Sequence, residues 1–220
     1  MAVWALMPVK PFATAKTRLA SQLTADERVR LAKAMYLDTL SAINAASQLA
    51  GVIVVTNDAT ARRHARGVGA FIVDDPLHGL NLALEAGRVF AAKQGASTVL
   101  VLPSDIPAVR HDDINALTTM HASGSAVLVP DHLGTGTNAL LVPDGARLPF
   151  SFGPNSRAAH CRLARTNDVR LQIVQCSSIA QDCDVPEDLD RLSTQDTGPR
   201  TRAVLAKLFE RSDARFRLVS

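Results

Sequence analysis

Short apolar runs alternate along the chain with longer segments of helical periodicity. Apolar runs bounded by turn residues occur at 2–7, 51–56, 70–75, 98–103, 125–130, 138–143 and 170–175. The intervening segments suited to helices are 24–47, 58–67, 79–94, 111–122 and 155–166. Because strands alternate with helices, the pattern predicts an α/β fold in which a mostly parallel sheet is sandwiched by helices.

Two features refine this prediction. The runs at 125–130 and 138–143 are joined by "DHLGTGT", which is too short for a crossover helix, so we expect an antiparallel pair there. Thr24 and Glu27 form a capping-box pattern at the start of the first long helix. We expect one domain over 1–192, followed by a C-terminal helix and tail over 193–220 that pack on the domain or on a second subunit of a homodimer.

Composition and charge narrow the class of protein. Hydrophobic residues make up 47% of the 220 residues, which is enough for a sizeable core. The net charge of +3 comes without a run of like charges or an interleaving of basic and aromatic residues, so nucleic-acid binding is disfavoured. Three cysteines without C-x-x-C spacing predict a reducing cytoplasm. The sequence shows no secretory leader and no apolar run long enough to span a membrane.

Carboxylates occupy positions where a parallel sheet binds ligands, beyond the carboxyl ends of its strands. In "LPSDIP", Asp105 directly follows an apolar strand, and a carboxylate there needs a cleft, a partner or a cation. In "QDCDVPEDLDRL", Asp182 and Asp184 are two apart and point the same way if the segment is extended. Three such carboxylates suit Mg²⁺. The alternative for the second segment is a plain acidic helix N-terminus with Pro186 and Glu187 in its first turn.

Basic residues follow the first predicted strand. "MPVKPFATAKTRLA" places Lys10, Lys16 and Arg18 between a strand end and a helix, where they could neutralise a triphosphate. The segment has neither the glycine pattern of a P-loop nor that of a Rossmann turn. The alternative interpretation is a solvated basic loop.

Three loops carry glycine, hydroxyl and amide groups. In "DDPLHGLNLALEAG", Gly79 begins a helix and Asn81 lies in its first turn, where its amide could read a base edge. "GTGTNAL" and "PFSFGPNSRAAH" supply Thr137, Gly153 and Ser156, whose amides and hydroxyls could bind an oxyanion. Each loop is equally compatible with ordinary turn and cap chemistry.

The sequence lacks the motifs of two common hydrolase classes. It has no G-x-S-x-G nucleophile elbow and no H-E-x-x-H zinc motif. His160, on the helix predicted for 155–166, is interpreted as a packed or solvent-facing residue rather than a catalytic one.

Seven segments in one order resemble a known family. "PVKPFATAKTRL", "VVTND", "HGLNLAL", "LPSDIP", "GTGTNALL", "FSFGPNSRAAH" and "DCDVPEDL" are similar to the CofC/FbiD family of phospholactate guanylyltransferases, which act in deazaflavin coenzyme biosynthesis. The resemblance covers about residues 1–192 and implies a fold of the nucleotide-diphospho-sugar transferase type. It also implies that GTP is joined to 2-phospho-L-lactate, phosphoenolpyruvate or 3-phospho-D-glycerate with release of pyrophosphate.

The resemblance also implies roles for individual residues. Mg²⁺ would bind Asp105, Asp182 and Asp184, and the phosphorylated acid would bind Thr137, Gly153 and Ser156. The triphosphate would face Lys10, Lys16 and Arg18. The base would lie near Gly79 and Asn81. Cys183 stands where the family more usually has an apolar residue, and its side chain is expected to point away from the metal.

Two other functions stay open at this point. One is another nucleotidyltransferase of the same fold, of the cytidylyl or molybdopterin type, although such enzymes usually have a glycine-rich first loop. The other is a non-catalytic nucleotide-binding subunit, against which the three aspartates and the basic first loop argue. The residues do not choose among the three acids.

Overall fold

A single sheet of seven strands organises the structure, a computed structural model that describes residues 2–120 and 125–217, the side chains of 211–217 excepted. The strands are β1 Val3–Pro8, β2 Leu49–Val55, β3 Phe71–Val73, β4 Thr98–Val101, β5 Ala126–Val129, β6 Ala139–Pro143 and β7 Leu171–Ile173. Their order across the sheet is β3-β2-β1-β4-β6-β5-β7. The predicted α/β class is confirmed, and every predicted strand overlaps an observed one.

Eight α-helices are present in the described part of the chain. They are α1 Ala25–Ala45, α2 Ala59–Gly67, α3 Leu80–Lys93, α4 His111–Thr119, α5 Ser156–Thr166, α6 Ser177–Ala180, α7 Pro186–Ser193 and α8 Pro199–Arg217. The capping box of Thr24 and Glu27 begins α1 as predicted. Two 3₁₀ turns, Phe12–Thr14 and Thr17–Leu19, were not predicted because they are too short to show a period. The part of the helix predicted for 111–122 that falls on 121–122 lies outside the described residues.

One strand runs against the others, and it positions the site. β6 is antiparallel to both β4 and β5, whereas the remaining pairs are parallel. Val101 at the end of β4 lies opposite Leu140, and Val129 at the end of β5 lies opposite Ala139. The start of β6 therefore lies at the same sheet edge as the carboxyl ends of β1, β4 and β5, and the predicted antiparallel pair is confirmed.

Apolar side chains cover both faces of the sheet. Alternate residues of β1 enter different clusters: Ala5 and Met7 pack under α1, and Trp4 and Leu6 pack under α3. Because each fully buried large apolar side chain contributes about 1.5–3 kcal/mol, this two-sided burial fixes the sheet and hence its ligand-binding edge. Helices on both faces are the arrangement that the near-continuous apolar strands indicated.

The C-terminal helix packs on the rest of the chain. Leu205 of α8 joins Leu31 and Met35 of α1 in a third buried cluster. The carboxylate of Asp38 caps the start of α8, accepting from the Thr201 N–H at 2.7 Å. A Cβ at Gly198 would clash with Asp38, so the chain can turn into α8 only because that position is glycine.

Candidate active site

An ion cluster joins three distant parts of the chain at the carboxyl edge of the sheet. The Nζ atom of Lys16 contacts the carboxylate of Asp105 and lies 3.0 Å from Oδ1 of Asp184. Asp105 follows β4, and Asp184 lies just before α7. The Lys16 side chain is only 7% exposed, whereas that of Asp184 is 51% exposed, so the cluster is partly open to solvent.

Local backbone geometry brings Lys16 to this position. Its φ of 56° and ψ of 35° place it in the left-handed region between the two 3₁₀ turns. For a residue other than glycine this conformation costs roughly 1–2 kcal/mol. Leu19, fully buried in the third apolar cluster, and the Phe12 N–H, which donates to Asp58 at 3.0 Å, hold the loop on either side. The ion pairs of Lys16 thus offset a strained backbone.

A capping carboxylate that sequence reasoning missed holds the second acidic segment. Buried Asp188 accepts from the backbone N–H groups of Asp184 and Val185 at 2.7 and 2.8 Å and pairs with Arg191. The signal for Asp188 was present as an acidic residue at the third position of a helix that begins with proline. Cys183, between the two aspartates, is fully buried and points away from the cleft, as expected.

In this ion cluster the three carboxylates outnumber the single buried lysine, Lys16. Burial opposes ionisation of Lys16, but the neighbouring carboxylates outweigh it and raise its pKa. Burial likewise opposes ionisation of Asp184, but Lys16, with weaker help from Arg18 and Lys10, holds its pKa below the ordinary value. Burial and the charges of Asp105 and Asp184 raise the pKa of Asp182 to about 7. Among the described residues, no lysine or arginine forms an ion pair with Asp182, and the imidazole of His132 lies 3.7 Å from it.

The donor set fits a hard divalent cation by its chemistry. Carboxylate oxygens are the ligands that Mg²⁺ prefers, and a nearby cation would lower the pKa of Asp182, which burial and then the charges of Asp105 and Asp184 raise. Within residues 2–120 and 125–217, however, no three acidic, imidazole or thiol groups are already grouped as metal ligands. The ammonium of Lys16 stands between Asp105 and Asp184 instead.

The imidazole of His132 lies close to two carboxylates. Its Nδ1 is 3.7 Å from Asp182 and its Nε2 is 3.8 Å from Asp188. No sequence motif singled out this residue.

The hydroxyl groups expected to bind the acid lie across the same edge. Thr137 is buried just before β6, with Oγ1 3.1 Å from Nδ1 of His160. Ser156, also buried, is the first residue of α5, and Gly153 has a φ of 135°, which only glycine adopts without strain. Asn138, the next residue, donates its side-chain amide to the backbone carbonyl of Ile179 at 3.0 Å and lies near enough to Asp182 to oppose the rise of that carboxyl's pKa.

The two residues expected near the base lie beside the loop that contains Gly153. Gly79, with a φ of 98°, precedes α3, and an added Cβ would meet nothing within 4 Å. The Asn81 amide donates to the carbonyl of Phe152 at 3.0 Å, and its oxygen accepts from the Phe152 N–H at 2.7 Å. Reading of a base by Asn81 stays a prediction, and the structure places its amide on the backbone of the 151–153 segment.

Solved structures with a similar fold include two transferases. A protein described as a nucleotide-diphospho-sugar transferase from Desulfovibrio desulfuricans superposes with a TM-score of 0.74 at 18% identity, covering 99% of this chain and 98% of that one. A cytidylyltransferase from Leptospira borgpetersenii gives a TM-score of 0.60 at 10% identity, covering 97% and 96%. At these identities the likeness shows the fold alone. The chain therefore has the fold of the nucleotide-diphospho-sugar transferases and cytidylyltransferases.

Sequence relatives narrow the class. The family model described as guanylyl transferase CofC like matches residues 3–216. Phosphoenolpyruvate guanylyltransferases from Conexibacter woesei and Streptomyces coelicolor are 39% and 40% identical to this chain, covering 94% and 93% of it and 97% of each relative. The chain belongs to the CofC-like guanylyltransferase family, so the resemblance is confirmed and the protein is an enzyme. The matched range includes most of α8.

The described part of the chain also bears on membrane association. None of its helices is both long and apolar enough to cross a membrane.

Proposed function

We propose that this enzyme transfers GMP from GTP to phosphoenolpyruvate and releases pyrophosphate. The relatives named above carry that activity in their names. The single observation that carries the proposal is the cluster in which Lys16 links Asp105 and Asp184 beside an unbalanced Asp182. The lysine of this cluster supplies positive charge for a triphosphate, and its carboxylates supply negative charge for the cation that accompanies the triphosphate.

The reaction needs charge control more than proton transfer. A phosphate oxygen of the acid attacks the α-phosphorus of GTP, the new O–Pα bond forms, the bond from Pα to the bridging oxygen breaks, and pyrophosphate leaves with that oxygen. The acceptor phosphate is already ionised at neutral pH, so no protein base is required. Because both reactants are anions, the residues must offset repulsion and hold the in-line geometry.

The basic residues of the first loop are suited to the triphosphate. Lys10 and Arg18 are exposed and close enough to Asp184 to lower its pKa. Lys16 is fixed by its carboxylate partners and presents its ammonium at the sheet edge. Mg²⁺ held by Asp105, Asp182 and Asp184 would supply further positive charge to the phosphates when bound.

The acid would bind on the opposite wall of the cleft. Thr137 and Ser156 offer hydroxyl donors there, and Gly153 offers a backbone amide in a conformation open to close approach. Asn138, next to Thr137, lies near enough to Asp182 to affect the pKa of that carboxyl, so this side of the site adjoins the carboxylates. Gly79 and Asn81, at the start of α3, would lie nearer the nucleoside.

The biological setting is part of the same proposal. The guanylylated acid would be an intermediate of deazaflavin coenzyme biosynthesis, made in the cytoplasm, and a homodimer is the proposed assembly. The family match supports the class of reaction in this proposal.

Pyrophosphate release tests the proposal. Purified enzyme with GTP and Mg²⁺ should release pyrophosphate with phosphoenolpyruvate and be slower with 2-phospho-L-lactate and 3-phospho-D-glycerate. Replacing GTP by ATP or CTP should lower kcat/KM strongly. Equal release without any acid, or preference for one of the other acids, would overturn the acceptor assignment.

A further inference from the structure

A buried imidazole lies directly behind the proposed acid-binding wall. His160 is fully buried on α5, one helical turn after Ser156. Its Nδ1 lies 3.1 Å from the hydroxyl of Thr137, and its Nε2 lies 3.0 Å from the backbone nitrogen of Ser151. The ring therefore bridges the loop before β6 and the loop before α5.

The two hydrogen bonds determine which ring nitrogen carries the proton. The backbone N–H of Ser151 can only donate, so Nε2 of His160 must accept. Burial lowers the pKa of His160 to about 4, against a smaller opposing effect of the Ser156 carbonyl, so the ring is neutral near pH 7. A neutral ring has one N–H, which must be at Nδ1.

This tautomer determines how the Thr137 hydroxyl is used. An Nδ1–H group donates and cannot accept, so Thr137 Oγ1 accepts from the ring and its own hydrogen is directed elsewhere. Building on the proposed function, we infer that His160 is a positioning residue that holds the Thr137 hydroxyl as a donor toward the phosphorylated acid. The opposite tautomer would let Thr137 donate to the ring and turn its hydrogen away from the acid.

The same ring also supports the segment that carries Gly153. Phe152 packs its ring edge against His160 at a centroid distance of 4.9 Å and an interplanar angle of 73°. On its other side the backbone of Phe152 is held by Asn81 of α3. Residues 151–153 thus form a strap between α3 and α5, and His160 fixes its position relative to Thr137.

Two substitutions separate the hydrogen bonds of the ring. His160→Asn can place an amide N–H near the former Nδ1 and loses the acceptor for Ser151. His160→Gln can place an oxygen near the former Nε2 and loses the donor to Thr137. We expect His160→Gln to raise KM for the acid about tenfold, with KM for GTP and kcat changed less than about threefold, the size expected for one lost hydrogen bond. His160→Asn should retain a KM for the acid within about threefold of wild type.

A coupling test distinguishes positioning from simple damage to the core. In a Thr137→Val background, His160→Gln should add no further increase in KM for the acid, because the hydroxyl that it orients is gone. Additive effects, or equal increases in the two KM values, would overturn the inference.

The ring tautomer is measurable without turnover. In ¹⁵N-histidine NMR spectra of the wild-type protein at pH 7, His160 should show a protonated Nδ1 and an unprotonated Nε2. The other tautomer would overturn the inference even if the enzyme guanylylates phosphoenolpyruvate. If the protein shows the expected tautomer but releases no pyrophosphate with any of the acids, the proposed function is contradicted. The hydrogen bonds of His160 would still be as described, but the inferred role of Thr137 toward the acid would be overturned.

Discussion

The ammonium of Lys16 lies 3.0 Å from the carboxylate of Asp184, although 168 positions separate the two residues in the chain. The contact joins the first loop to the last acidic segment. It also explains how a lysine in a strained left-handed conformation is kept in place.

Replacing Lys16 by alanine should impair guanylyl transfer severely. The substitution removes a fixed positive charge next to the proposed triphosphate, and loss of one such preorganised group costs about 10²–10³ in kcat. Steady-state kinetics with GTP as the varied substrate would measure it. Lys10→Ala, which removes an exposed lysine of the same loop, is the matched control and should have a smaller effect. Wild-type kcat/KM in Lys16→Ala would contradict the assigned role.

Asp105→Asn should abolish most of the activity and weaken metal-dependent nucleotide binding. The variant keeps the shape of the side chain but loses the charge that balances Lys16 and a bound cation. Calorimetric titration of GTP with and without Mg²⁺ would show a loss of the magnesium-dependent part of the affinity. Asp112→Asn, which alters an exposed aspartate in the first turn of α4, should behave as wild type. Near-normal turnover and magnesium dependence in Asp105→Asn would rule out a metal role for this residue.

Asp188→Ala should reduce both stability and activity, although Asp188 touches no proposed substrate. It would remove the acceptor for the backbone N–H groups of Asp184 and Val185 and leave Arg191 without its partner. Loss of such a cap costs about 0.5–2 kcal/mol of the free energy of unfolding. Urea unfolding and kcat should be compared with those of Asp190→Ala, an exposed position in the same helix. Identical behaviour of the two variants would show that capping by Asp188 does not hold the acidic segment.

The pH dependence of stability should report on His160. Because its pKa falls from 6.5 to about 4 on folding, the unfolded chain binds a proton between these values that the folded chain does not. Its contribution to stability is therefore fully present above about pH 6.5 and is lost as the pH falls toward 4, by up to about 3 kcal/mol. The difference in unfolding free energy between wild type and His160→Asn should shrink over this range. A difference that stays constant from about pH 7 to 4.5 would contradict a neutral buried ring.

Asp182 should show the opposite sign over an overlapping range. Its pKa rises from 3.8 to about 7 on folding, so the folded chain takes up this proton first as the pH falls. The carboxyl therefore destabilises the fold above about pH 7, and the penalty is relieved as the pH falls toward 3.8. Asp182→Asn should be more stable than wild type at pH 7 in urea unfolding without metal, and the advantage should decrease at about pH 5. If the stability advantage of Asp182→Asn did not depend on pH, ionisation of Asp182 would not destabilise the fold.

Much of the fold was predictable because the strands are buried on both faces. Runs such as 98–103 and 138–143 are near-continuous and apolar, and the short "DHLGTGT" connection indicated the antiparallel departure. The insertion of β6 between β4 and β5 was not predictable, since no local pattern encodes the order of strands. That order is what brings Thr137 to the same edge as Asp105.

The charged residues of the site were predictable from the sequence, but the features that hold them in place were not. Lys16 and Asp105 stood out as charges that follow predicted strands, and Asp184 as one of two aspartates in an acidic segment; the structure brings all three together. The left-handed backbone of Lys16 carries no sequence signal without a glycine, and His160 was interpreted as a packed or solvent-facing residue. It is indeed packed, but its two hydrogen bonds join segments 23 and 9 positions away, which no local motif reveals.

The most direct test of the central claim is ³¹P NMR of the reaction of GTP, Mg²⁺ and phosphoenolpyruvate with the purified enzyme. The account predicts that the GTP resonances are replaced by those of pyrophosphate and of a diphosphate joining guanosine to enolpyruvate, in equal amounts and only when the acid is present. Conversion of GTP to GDP and phosphate, or unchanged GTP with folded and GTP-bound protein, would contradict it.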